Sequence, residues 1–123
     1  MQSAVLYLGR ILFGGYFIMS GYNHFAHLSM MAAYTQSKGV PSSKAAVAVT
    51  GLLLLIGGIS TLFNFYPVVG LTALILFLLP VTFLMHAYWK IQDPMARMGE
   101  RVNFMKNLAL LGGTLVLLAG FLS

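Results

Sequence analysis

The side chains with chemistry to offer fall into three short clusters: Asn23 with His24, His86 with Trp89, and Lys106 with Asn107. On a helix, Arg10, Gly14, Phe17, Gly21 and His24 stand at i, i+4, i+7, i+11 and i+14, which is a single stripe. Thr82, His86 and Trp89 repeat the pattern at i, i+4 and i+7, while Asn103, Lys106 and Asn107 open the last apolar run. An imidazole can hydrogen-bond a carbonyl or relay a proton near neutral pH. Lys106 and Asn107 would add donors, and Trp89 an apolar wall. With Arg10 at the far end, such a set suits an amphipathic ligand such as a quinone or a lipid headgroup. Two imidazoles from facing helices could also hold haem, and His27, at i+3 from His24, could complete a three-histidine metal site. Metal or haem fits these residues less well, because the two acids, Asp93 and Glu100, share one polar loop and cysteine is absent. The same shortage leaves neither a Ser-His-Asp arrangement nor a paired-carboxylate site, so hydrolase chemistry is not indicated.

The elements that must position these groups belong to a membrane bundle. Of 123 residues, 59% are hydrophobic and 7% charged, where a soluble domain carries roughly a quarter charged side chains. Mean hydropathy is +0.89. Apolar runs over about 4–22, 45–63, 67–89 and 104–122 each approach the ~20 residues that cross a bilayer as a helix. They are continuous, not alternating, which argues against a β-barrel. The expected fold class is all-α: an integral membrane, four-helix transmembrane bundle, up-and-down, forming one domain over 1–123 with a short interfacial helix in the first loop. The first run is too long for a signal-peptide core, and bulky Tyr22 follows Ser20-Gly21, so it reads as a retained span.

The connections carry their own signals. Ser29 can cap a helix over Met30 to Lys38 that Gly39 ends, and Ser42 or Ser43 is placed to cap the second span. Asn64-Phe65-Tyr66 makes a tight helical hairpin, with Pro67 in the first turn of the next helix. Pro80 predicts a kink in the third span, and Pro94 and Gly99 argue against one continuous helix through the second polar loop. Six of the seven bases, Lys38, Lys44, Lys90, Arg97, Arg101 and Lys106, lie in the first and third connections. The positive-inside rule places those loops in the cytoplasm and both termini outside. The net charge of +5 is thus a topology signal and not a nucleic-acid footprint. Antiparallel spans bring the polar ends of the first, third and fourth helices to a common depth, where a pocket can form. Thirteen glycines, mostly inside the spans, let helix backbones approach closely. Ala109/Gly113 and Gly57/Thr61 have i, i+4 spacing for such contacts, and self-association through small-residue faces is expected.

LGRILFGGYFIMSGYNHF, the KGVP turn, and HAYW followed by NFMKNLALLGG resemble, in that order, the DoxX family of small bacterial four-helix membrane proteins. The family pattern covers Arg10, Gly21, Phe25, His86, Trp89, Asn103, Phe104, Lys106 and Asn107. One departure is His24, where the family often has Lys, so a persistent cation is replaced by a group that can be neutral. The resemblance implies a bacterial inner membrane and a redox-associated accessory subunit, linked to quinone oxidoreductase systems and not catalytic alone. It would bind a quinone- or lipid-like molecule, or a redox partner protein, at its polar helix ends. The alternative is a non-catalytic scaffold or assembly subunit that packs through glycine-rich faces.

Overall fold

A computed structural model describes residues 1–122, and they are almost entirely helical. Five α-helices follow in order: α1 (Gln2–Ala26), α2 (Leu28–Ser37), α3 (Ser43–Phe63), α4 (Pro67–Met85) and α5 (Pro94–Leu122), with a 3₁₀ turn at Tyr88–Lys90. α1, α3, α5 and the α4 segment as far as Lys90 are long and apolar enough to cross a membrane. The protein is a multi-pass, all-helical membrane bundle with α2 as the short helix of its first loop.

Local chemistry sets most of the boundaries. A single residue, His27, ends α1 and begins α2, with φ −121° and ψ 38°. Gly39, at φ +84°, takes the left-handed conformation that stops α2. Neither Ser29 nor Ser42 caps a helix through its side chain. Ser42 is itself left-handed at φ 51°, and the Ser43 hydroxyl donates to the Val40 carbonyl at 2.9 Å. The α3–α4 hairpin forms as expected. Asn64 caps α3 in the left-handed conformation, Pro67 enters at the first turn of α4, and the Ser60 hydroxyl reaches the carbonyl of Tyr66 at 2.8 Å. α4 runs on through Pro80.

Two expectations need correction. α4 stops at Met85, so His86 and Trp89 do not continue the stripe begun by Thr82; the chain turns there and lays Tyr88 and Trp89 on Phe104 at 5.4 and 5.5 Å. The polar loop after it is no loop, because α5 begins at Pro94. Proline is tolerated where its missing N–H would be unpaired anyway. Asp93 Oδ2 accepts from the Ala96 N–H at 2.9 Å, an N-terminal cap. Gly99 is exposed, and inside the helix it costs only about 1 kcal/mol relative to Ala.

α1 packs on α3, α3 on α4, and α4 on α5, while α2 lies across α3 and touches α1; among the described residues α1 and α5 share no comparable seam. The core is Phe17, Leu54, Leu71, Leu74 and Leu78, with Phe77, Leu110 and Leu111 packed against it. Where α1 meets α3 the glycines allow backbone contact. A Cβ on Gly14 would lie 2.8 Å from the Gly58 carbonyl oxygen, and one on Gly21 would lie 3.0 Å from that of Gly51. The two pairs repeat at seven-residue intervals on both helices, as antiparallel partners must. Apolar side chains such as Leu6, Leu12, Leu76 and Val116 are more than 45% exposed. Lipid tails, not water, are their natural surroundings.

Candidate functional site

A cavity of about 420 Å³ opens between the helices at the end where α2 lies. That volume falls in the range of small-ligand sites, about 300–1,000 Å³. Phe17, Leu54, Phe77 and Leu78 make much of its wall, α2 closes it with Met31, Tyr34 and Thr35, and Pro80 of α4 also faces it. Four of the residues singled out by sequence line this space: His24, His86, Lys106 and Asn107. They come from α1, the turn after α4, and α5, the three polar ends expected to meet.

His24 Nδ1 donates to the Ser20 carbonyl at 2.8 Å, and its ring edge meets Phe77 at 6.0 Å between centroids. The Lys106 ammonium stands over the Tyr16 ring at 5.7 Å, so α5 and α1 face each other across the cavity without a seam like those of the neighbouring helix pairs. Asn107 is 6% exposed, and its carboxamide has no hydrogen-bond partner among the described residues. It is a polar group turned to the cavity.

Three of the expected residues lie elsewhere. Asn23, one position from His24 and so about 100° around the helix, is exposed. Trp89 is half exposed and packs on Tyr88 and Phe104. Arg10 is remote from the cavity, with its guanidinium over the Tyr7 ring at 5.8 Å. His27 is exposed as well, and among the described residues no three His, Asp or Glu side chains gather as a metal would need.

The residue that sequence reasoning passed over is Glu100. It is 9% exposed and stands behind His86. Its Oε1 accepts from His86 Nδ1 and from Asn103 Nδ2, both at 3.0 Å, and its Oε2 accepts from Tyr34 Oη at 2.9 Å and Lys38 Nζ at 3.0 Å. Four donors around one group suit a carboxylate, which only accepts. Burial pushes the Tyr34 hydroxyl up from its ordinary value, and the hydrogen bond and charge of Glu100 push the same way. For Lys38 burial works against the ammonium, but its bonds to Glu100 and Tyr34 outweigh it and the net shift is upward. A signal was available in the sequence: Glu100, Phe104, Asn107 and Thr114 are the buried face of α5, at helical spacing once the helix is taken to start at Pro94.

No curated protein and no solved structure matches the chain. The DoxX family profile matches residues 5–87. That stretch holds α1 to α4 and ends just past His86, so Glu100, Lys106 and Asn107 on α5 lie beyond it. With four apolar helices of spanning length and a match across most of its residues, the chain belongs to the DoxX family.

Proposed function

We propose that the protein is a redox-associated accessory subunit whose cavity binds a ring-headed amphiphile of the quinone class. The observation that carries this reading is the cavity itself: apolar walls of about 420 Å³ ending in His24, His86, Lys106 and Asn107. Its volume suits a ring and the start of one chain, and falls short of both chains of a bilayer lipid. The unpacked side between α1 and α5 supplies an entry from the bilayer for a ligand that never leaves the apolar phase. At the polar end His86 is placed to hydrogen-bond a ligand oxygen or carry its proton, with Lys106 and Asn107 as donors. The basic loops support a placement in the inner membrane with that end toward the cytoplasm, where a redox partner protein would dock.

The test is gentle purification from the native membrane and mass spectrometry of the organic extract. A prenylated ring compound at near-stoichiometric amount is expected, and its loss from Leu110→Trp, which fills the cavity, is expected too. An empty extract from protein that also fails to take up added tetramethyl-1,4-benzoquinone overturns the reading.

A second reading, a non-catalytic scaffold, is favoured by Gly9, Gly15, Gly112 and Gly113, where an added Cβ meets nothing within 4 Å. These small positions on α1 and α5 leave room for a further membrane helix, from another copy or another protein. Light scattering of the solubilised particle, together with co-purification, tests it.

A further inference from the structure

We infer that the cavity prefers the reduced, hydroxylated form of its ligand, a diphenol of the quinol class, over the oxidised dicarbonyl form, with His24 and His86 accepting the phenolic hydrogens. This rests on the ligand class proposed above for the same cavity and adds which redox state it holds. The two imidazoles share one arrangement. His24 Nδ1 lies 2.8 Å from the Ser20 carbonyl oxygen and His86 Nδ1 lies 3.0 Å from Glu100 Oε1. Both oxygens can only accept, so in each ring the hydrogen sits on Nδ1. The neutral imidazole then carries a lone pair on Nε2. Neither Nε2 has a partner among the described residues, and both rings line the cavity.

The other polar groups of the cavity sharpen the preference. The Thr35 and Thr50 hydroxyls already donate to the carbonyls of Met31 and Ala46, each at 2.8 Å. Tyr34 donates to Glu100. The hydroxyls of Tyr16 and Ser20 can give or take and so favour neither form. That leaves Lys106 as a donor, Asn107 as donor and acceptor, and two imidazole nitrogens as acceptors. A dicarbonyl ring would satisfy Lys106 and the amide of Asn107 but would set its lone pairs against those of both Nε2 atoms. A phenolic hydroxyl gives its hydrogen to an imidazole and keeps its oxygen for Lys106 or Asn107. Sites built to hydrogen-bond a hydroxyl reject analogues that lack it, because their own buried groups are left unpaired. Glu100 acts here as a positioning residue, since it fixes which nitrogen of His86 is the acceptor.

The experiment uses the full chain in lipid nanodiscs at about pH 8, with anaerobic equilibrium dialysis against tetramethyl-1,4-hydroquinone and, separately, tetramethyl-1,4-benzoquinone. The hydroquinone is expected to bind about tenfold tighter or more. His24→Phe and His86→Phe each remove most of that difference, chiefly by weakening hydroquinone binding, and His86→Gln, whose Oε1 can accept in place of Nε2, restores part of it. Equal affinity of the wild-type protein for the two probes overturns the preference while the amphiphile site stands. Persistence of the full difference in both Phe variants overturns the role of the histidines. Failure of the wild-type protein to bind either probe overturns the site itself.

Discussion

Lys38 holds its ammonium 3.0 Å from Glu100 Oε2, across 62 residues of sequence, and so fastens the end of α2 to the first turns of α5. The pair places the first and third connections on one side of the bundle. It also makes Glu100 the point where α2, α5 and the turn after α4 are held together.

Removing that point has a definite consequence. Glu100→Ala strands four donors in a partly buried setting, and a loss of roughly 2–4 kcal/mol is expected. Asp93→Ala, which removes only an exposed helix cap, is expected to lower stability by about 1 kcal/mol. Thermal unfolding in a mild detergent reads both, and equal effects would contradict the account of Glu100.

Alkaline pH should loosen α2. The folded protein holds the protons of Tyr34 and Lys38 more tightly than the unfolded chain does. Their contribution is therefore complete below about pH 10 and is lost as pH rises through the elevated folded values. The melting-temperature gap between wild type and a Tyr34→Phe/Lys38→Met double variant should narrow between pH 9 and pH 12 (roughly the range in which these groups titrate). A constant gap would show that the ties contribute nothing through their ionisation.

Adjacent glycines on α1 should respond oppositely to alanine. A Cβ at Gly14 would sit 2.8 Å from a backbone oxygen of α3 that cannot step aside, whereas one at Gly15 meets nothing within 4 Å. Gly14→Ala is expected to destabilise by about 1–3 kcal/mol, and Gly15→Ala to stabilise by up to about 1 kcal/mol through helix propensity. Resistance to unfolding by dodecyl sulfate separates them.

Thr82 is fully buried and its hydroxyl has no partner among the described residues. Thr82→Val keeps the shape and removes the unpaired oxygen, so the melting temperature should hold or rise, by an amount corresponding to about 1 kcal/mol. A fall of that size would mean that the hydroxyl has a partner in the membrane.

Much of this was legible in the sequence. Four continuous apolar runs define the spans, and antiparallel order alone brings His24, His86, Lys106 and Asn107 to one end. Glu100 was not legible, because Pro94 and Gly99 mimic a loop. Only the Asp93 cap and the burial of Glu100 in register with Phe104 and Asn107 show that the helix has already begun. The end of α4 was hidden for the opposite reason. His86 keeps helical register with Thr82, and what draws it away is a carboxylate 14 residues further on. Periodicity records local preference and carries no trace of such a partner.

Gly51 stands where α3 approaches Gly21, and an added Cβ there would also lie 2.9 Å from the Cβ of His24. One hydrogen atom thus serves both the frame and the placing of a cavity side chain. A substitution at this position would displace the imidazole in the same act that parts the helices, so the packing of α1 on α3 and the position of His24 are under a single constraint there and cannot vary apart.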